Sequence, residues 1–360
     1  MAKSELQKQK FAGFQYQRLT KDTRDELRGA VSLLGEEQGE LRGKIPGFPP
    51  IRRTYRLWKG IRRLFHDQSF YAEEKLDGYN VRIFQHSGGI YALTRGGFIC
   101  PFTTEWAGIW AEKFGLREFF RDHPSRVICG EVVGDNPYNR QRQPHLPAGA
   151  HFYLFEIMNP DGSFLPPPDR YHLAQEYNLP AVPSLGIFDS EKIQELYREL
   201  RRLNEEGGEG VVLKSPQANR FLKFVTPNTD LEDIRDAMPV SFELPSGYLH
   251  NRIMRVSLFS QELGLDEEEY ARKLGQALMH GCPRQDDFRE ASEQYLIYVR
   301  SRDTWKALRS NLAQQVLIAQ DSMREVELDG RPMLRIAFRR IYKKSSNRFY
   351  RILRGYLHTD

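Results

Sequence analysis

Cysteine is scarce. The 360-residue chain holds three, Cys100, Cys129 and Cys282, widely spaced and odd in number. They exclude a disulfide framework and a cysteine-based zinc site, and they suit a reducing compartment. Long apolar runs are also missing, since the longest are strand-sized and none can span a bilayer. The first residues, MAKSELQKQKF, are polar and basic with no apolar core of a signal peptide. A cytoplasmic protein without membrane contact is expected. The nine histidines show no metal-ligand pairing. Gly207-Gly208-Glu209-Gly210 lacks the Lys-Ser/Thr of a phosphate-cradling loop, and no serine or cysteine sits in a recognisable nucleophile setting. Internal repeats and low-complexity tracts are absent as well. What remains, 40% hydrophobic and 28% charged residues, is globular composition, and its length predicts two or three structural units.

The net charge of +5 is unevenly spread. Residues 1–65 carry a net +8, residues 331–360 another +8, and the middle −11. Basic ends around an acidic centre suggest an anionic polymer gripped from the flanks. Arg52, Arg53, Arg56, Lys59, Arg62 and Arg63 form an acid-free run with Tyr55 and Trp58 interleaved. The second block, RIAFRRIYKKSSNRFYRILRG, carries Phe338, Tyr342, Phe349 and Tyr350. Phosphate contacts with base stacking would use such a mixture, and so would an amphipathic face whose aromatics point inward.

Short β-type runs dominate from Phe70 to Thr226, and Ser87-Gly88-Gly89 joins two of them as a hairpin. A helix is predicted from an N-cap at Ser190, with Ile193, Leu196, Tyr197, Leu200 and Leu203 on one face. Another is predicted from Thr104 to about Arg121. Beyond Asp230 the pattern reads as helical, including FREASEQYLIYVR and TWKALRSNLAQQVLIAQ. The predicted class is α+β: an antiparallel-sheet domain with a small basic N-terminal module and a helical C-terminal part. Boundaries are placed at 1–66, 67–238, 239–322 and a basic 323–360.

The chemistry lies in the β-rich region. Lys75-Leu76-Asp77-Gly78 follows Glu73 and Glu74; Arg95 ends a strand; Glu131 and Glu156 sit in apolar strands; Glu209 precedes GVVLK with Lys214; and Lys223 lies in FLKFV. Carboxylates and lysines are disfavoured in such runs unless paired or liganded, so five such positions argue against coincidence. Each alone is weak, and Lys-x-Asp-Gly by itself reads as a strand end with a turn.

Taken together, these residues resemble the motifs of the covalent nucleotidyltransferase superfamily of ATP-dependent ligases and capping enzymes. The order and spacing hold from Lys75 to Lys223. KLDGYNVRI with Asn80, EGVVLKSP and the C-terminal third make the chain similar to the archaeal-type homodimeric ATP-dependent RNA ligases. That resemblance implies ATP with Mg2+ or Mn2+, and single-stranded RNA bearing 5′-phosphate and 3′-hydroxyl ends. Lys75 would carry AMP as a phosphoamide. Asp77 would lie near the ribose, Glu73 at the adenine amino group, and Phe155 stacked on the base. Arg95 and Glu131 would hold ribose and phosphate, with Asn80 at a position associated with RNA-joining relatives. Glu209 and Glu156 would hold the metal. Lys214 and Lys223 would neutralise phosphate oxygens and lower the pKa of Lys75 so that its amine can attack. One departure stands out: the last motif has only Lys223 where many relatives carry two lysines, with Phe221 at the other position and Arg220 beside it.

Three alternatives stand beside this reading. A DNA ligase or capping enzyme would follow the last lysine with a β-barrel, which 229–322 does not resemble. A non-catalytic RNA-binding module would not need an intact Lys75. A helical scaffold dimerising through 240–320, with apolar faces at Tyr270, Leu274, Leu278, Tyr295, Ile297 and Tyr298, leaves 70–226 unexplained.

Overall fold

The computed structural model describes residues 6–11, 13–35, 41–140, 146–284 and 288–356, and it has the expected α+β class with antiparallel sheets. An antiparallel meander opens the chain: β1 (Leu6–Phe11), β2 (Phe14–Leu19), β3 (Val31–Leu34) and β4 (Leu41–Ile45). The short strand β5 (Arg52–Arg53) and helix α1 (Leu57–Phe65) hold the basic run. Leu57, Ile61 and Phe65 recur at helical spacing and are buried, which turns Lys59, Arg62 and Arg63 outward. The N-terminal amides of α1 lack a local cap. Leu57 N and Trp58 N donate instead to the Glu262 carboxylate at 2.7 and 2.8 Å.

The central unit runs β6 (Phe70–Lys75), β7 (Tyr79–His86), β8 (Gly89–Thr94), α2 (Pro101–Lys113), α3 (Leu116–Asp122), β9 (Val127–Gly134), β10 (Ala150–Met158), α4 (Pro167–Glu176), β11 (Ser184–Phe188), α5 (Ile193–Glu206), β12 (Gly210–Lys214), β13 (Phe221–Val225) and α6 (Pro227–Ala237). It forms two sheets, ordered β10-β9-β7-β8 and β11-β6-β12-β13-β5. The predicted hairpin is present, with Ser87 and Gly88 at φ 46° and 77° closing β7 on β8.

Alternation in the second sheet decides what faces the cleft. Phe70, Ala72, Val211, Leu213, Leu222 and Phe224 share a core with α1 and α5. Their neighbours Tyr71, Glu73, Lys75, Lys214 and Lys223 therefore point to the opposite side. Register then sets them in rows: Lys75 opposite Gly210, and Glu73, Val212, Lys223 and Arg53 in line across four strands.

Two predicted helices start or end differently. The helix expected over 104–121 is two, because the chain is extended at Phe114 and pressed against Tyr177 at Gly115, where a Cβ would stand 2.5 Å from the Tyr177 carbonyl. Ser190 is not an N-cap. The Asp189 carboxylate takes the amides of Glu191 and Lys192, both at 3.0 Å, and α5 begins at Ile193.

The C-terminal part holds the expected helices α7 (Tyr248–Leu263), α8 (Glu267–Gly281) and α9 (Arg302–Ala313), and the basic C-terminal block adds α10 (Lys343–Leu353). It also holds a sheet that the sequence reading missed: β14 (Ser292–Val299), β15 (Leu317–Leu328) and β16 (Arg331–Ile341), in the order β14-β16-β15. YLIYV and VLIAQ are short apolar runs, which periodicity cannot assign; their aromatic and β-branched residues favour strands. β15 runs through residues 322 and 323, so the boundary expected there falls inside a strand. Tyr295, Ile297 and Tyr298 thus lie in a core shared with Trp106, Trp110 and Trp305. Tyr270 packs within the chain against Leu231 and Ile234, and Leu274 and Leu278 are partly buried against the same cluster. Trp106 Nε1 donates to Tyr298 O at 2.9 Å, which seats the C-terminal sheet on α2. Among the described residues no helix is long and apolar enough to cross a membrane.

Candidate active site

A cleft of about 570 Å3 opens between the two sheets. Glu73, Lys75, Asn80, Arg95, Glu131, Phe155, Glu156, Lys214 and Lys223, all expected from the sequence, line it. Close approach of backbone makes the reacting end possible. A Cβ at Gly78 would sit 2.2 Å from Val132 O, and one at Gly210, beside Lys75, 2.1 Å from Phe224 O.

The charged side chains fall into two groups. In the first, Lys75 Nζ lies 2.5 Å from Glu209 Oε2, with Glu131 and Asp77 close enough to act on the same ammonium. Burial alone would lower the Lys75 pKa, but Glu209 and Glu131 outweigh it and hold the group above the ordinary lysine value. Burial raises Glu131 to about 8 and Glu209 to about 7, against the opposing pull of Lys75. Three carboxylates around one ammonium leave surplus negative charge.

In the second group, Lys214 Nζ is 2.5 Å from Glu73 Oε2 and 2.7 Å from Glu156 Oε1. Arg170, from α4, forks onto both Glu73 oxygens, and Tyr171 donates its hydroxyl to Oε1 at 2.5 Å. Burial would raise Glu73, but Lys214 and Arg170 hold it down at about 2. With four donors on its two oxygens the carboxylate is full, so an adenine amino group would have to displace one of them. A bulge at Phe155 interrupts the β9–β10 ladder and turns its carbonyl to accept from Arg170 and from Lys214, the latter at 2.8 Å.

Lys214 is paired with Glu73 and Glu156 rather than with the carboxylates around Lys75. Glu156 stands in the Lys214 group, apart from Glu209, and its place beside Glu209 is taken by Glu131 and Asp77. The lysine with a depressed pKa is Lys223, lowered to about 8 by burial and by Arg53, Lys75 and Arg95. Arg220 does not stand in for the absent lysine, because its guanidinium bonds Leu64 O at 3.2 Å, while Phe221 packs edge-on against Phe164. Asn80 Oδ1 is buried at the wall without a hydrogen-bond partner among the described residues. Phe155 meets Phe48 edge-on, with ring centroids 5.6 Å apart. Phe48, Tyr138, Arg170, Tyr171 and Arg340 belong to the cleft or its support, and sequence reasoning named none of them. Only the need of buried Glu73 for a cation hinted at Arg170.

A lysine at a strand end, ringed by carboxylates and facing a cation-lined cleft, is a nucleotide-transfer geometry. The family described as RNA ligase matches residues 68–225. Over nearly the whole chain, two structures of an archaeal ATP-dependent RNA ligase align at 32% identity, with TM-scores of 0.86 and 0.88, covering 98–99% of this chain and 94% of theirs. The chain belongs to the RNA ligase family. A protein of Aquifex aeolicus assigned provisionally as an ATP-dependent DNA ligase aligns at 30% identity and a TM-score of 0.89, covering 99% of this chain and 97% of that one. An uncharacterized protein of Methanocaldococcus jannaschii is 31% identical over 92% of this chain and 85% of its own length. In this member of the RNA ligase family, Leu312 of α9 and Arg340 of β16 bring the C-terminal part to the wall of the cleft that holds Lys75.

Proposed function

We propose that this ATP-dependent RNA ligase joins a 5′-phosphate to a 3′-hydroxyl through AMP carried on Lys75. The observation that carries the reading is Lys75 at 2.5 Å from Glu209, inside a cleft whose other wall bears Arg95 and Asn80. The Lys75 amine attacks the α-phosphorus of ATP; a P–N bond forms and the bond to pyrophosphate breaks. The amine must first lose its proton, and Glu209, with a pKa of about 7, is placed to take it. Lys223 and Arg95 offset phosphate charge. The AMP then passes to an RNA 5′-phosphate, the 3′-hydroxyl attacks, and AMP leaves.

The surplus charge of Glu131, Glu209 and Asp77 fits a divalent cation, Mg2+ or Mn2+, which when bound would supply the positive charge that eases loss of the Lys75 proton. Among the described residues no three carboxylates converge as a ready-made metal site, so phosphate oxygens and water would complete the shell.

Single-stranded RNA is the proposed substrate, led in by the outward Arg62 and Arg63 of α1, and a strand with both ends free would close into a circle. The DNA-joining alternative has the Aquifex aeolicus relative in its favour. The homodimer has the least surface behind it: Met254 and Met279, 41% and 72% exposed, are what α7 and α8 leave uncovered. A monomeric mass by light scattering at micromolar concentration removes it.

The deciding experiment is incubation with ATP labelled in the α-phosphate and Mg2+ or Mn2+. One acid-labile, alkali-stable label per chain is expected, absent in both Lys75→Ala and Lys75→Arg, because a guanidinium does not deprotonate here. Label retained in Lys75→Ala overturns the mechanism. Sealing of nicked duplex DNA with no action on single-stranded RNA overturns the choice of substrate.

A further inference from the structure

The basic run at residues 52–63 divides. Arg62 and Arg63 face solvent from α1, whereas Arg53 is built into the catalytic sheet: β5 pairs in parallel with β13, and Arg53 stands directly opposite Lys223. Residues opposite one another on adjacent strands, about 4.8 Å apart, point to the same face. Arg53 therefore shares the cleft-facing row of Glu73, Val212 and Lys223, while Arg52, one residue earlier, pairs with core-facing Leu222. Among the described residues the Arg53 guanidinium makes no hydrogen bond or ion pair, and neither does the Lys223 ammonium. Arg95 makes only one long contact, 3.4 Å to Pro49 O. Lys223 and Arg95 line the cleft and Arg53 stands exposed at its edge beside Lys223; Asp230 and Glu209 are near enough to act on Arg53 but form no ion pair with it, and Arg252 and Arg255 add further positive charge there. Cations gathered at one edge without an acid bonded to them are arranged for an anion.

We infer that Arg53 binds the pyrophosphate half of ATP and is the second cation that the last motif lacks. This rests on the ligase reading above. Position selects that half of the nucleotide. The α-phosphorus must reach Lys75 on β6, and the leaving pyrophosphate must lie on the far side of it from the attacking amine. Lys223 is two strands from β6 and Arg53 three, roughly 10 and 14 Å across the sheet, so Arg53 meets the outer phosphates. A guanidinium offers five donors in a planar fork, enough to span two phosphate oxygens, and it keeps its charge beside Lys223. The sequence neighbours of Lys223 are engaged otherwise: Arg220 bonds Leu64 O, and Phe221 packs on Phe164.

The two chemical steps separate this role from a structural one. Lys75 adenylylation and its reversal by inorganic pyrophosphate both involve the outer phosphates. Sealing of RNA already bearing a 5′-adenylyl group, without ATP, does not. Arg53→Ala is expected to raise the KM for ATP and to slow pyrophosphate-driven release of AMP by about tenfold to a hundredfold, the loss of one charge-assisted contact. Sealing of the pre-adenylylated RNA should stay within about twofold of the unmodified protein, and Arg53→Lys should recover most of the first step. Equal loss in both steps, or loss confined to RNA sealing, overturns the assignment, as does an unchanged KM for ATP. Failure of the unmodified protein to label with ATP would instead remove the ligase reading on which this one stands.

Discussion

The two charge groups of the cleft differ in balance. Around Glu73, two cations and a tyrosine hydroxyl meet two carboxylates at 1–2% exposure, and the carboxylate of Glu73 is satisfied. Around Lys75, three carboxylates share one ammonium, and two of them are pushed up to about 7 and 8. The balanced group ties the two sheets together and satisfies Glu73 without a ligand, although the Glu156 oxygens and Arg170 Nε lack a hydrogen-bond partner among the described residues. An unbalanced one is costly as it stands and is relieved when a cation or phosphate arrives. Net charge within a cleft thus separates residues that build it from residues that act in it.

Breaking the balanced group should have the largest effect on stability. Arg170→Leu leaves two buried carboxylates, Glu73 and Glu156, to one cation, Lys214, and is expected to cost about 3–5 kcal/mol in urea unfolding. Glu209→Gln removes a charge from the crowded group, so its cost should stay below about 1 kcal/mol while Lys75 labelling falls about a hundredfold. Equal costs for the two variants would end the comparison.

Opposite pH dependences should follow. Glu73, held at about 2, contributes stability that is present above the ordinary value of 4.5 and lost as pH falls toward 2. Glu131 and Glu209, raised to about 8 and 7, leave the folded chain holding protons the unfolded chain has released, so stability declines as pH rises from 4.5 toward 8. Each contributes a slope of at most about 1.4 kcal/mol per pH unit. Thermal unfolding from pH 4 to 9 without divalent cation checks this, and Glu131→Gln should flatten the upper limb.

Proton release gives a smaller, sharper readout. Mg2+ added at pH 7 should expel part of a proton per chain, seen as calorimetric heats that vary with the ionisation enthalpy of the buffer. Heats independent of buffer would place the cation away from Glu131 and Glu209. The smallest effect belongs to the outward helix face: Arg62→Ala with Arg63→Ala should weaken RNA binding several-fold and reduce its salt slope by about 0.7 per lost phosphate contact, leaving Lys75 labelling intact.

The sequence by itself determined which residues could act, because a lysine or carboxylate inside a β-patterned run is anomalous wherever the strand ends up. Lys75, Glu131, Glu156, Glu209, Lys214 and Lys223 were legible for that reason, and so was the Ser87-Gly88 hairpin, whose signal is local. Tertiary structure alone decided which of them meet. Arg170 reaches Glu73 across 97 residues, and Glu209 reaches Lys75 across 134, through strand registers set by long-range pairing and not by any local pattern. The same reason kept β14, β15 and β16 hidden, since a short apolar run becomes strand or helix according to what it packs against, here α2 and its tryptophans. Arg53 shows both halves at once. Its basic run was plain in the sequence, but only the parallel pairing of β5 with β13 set it beside Lys223 and apart from the arginines on α1.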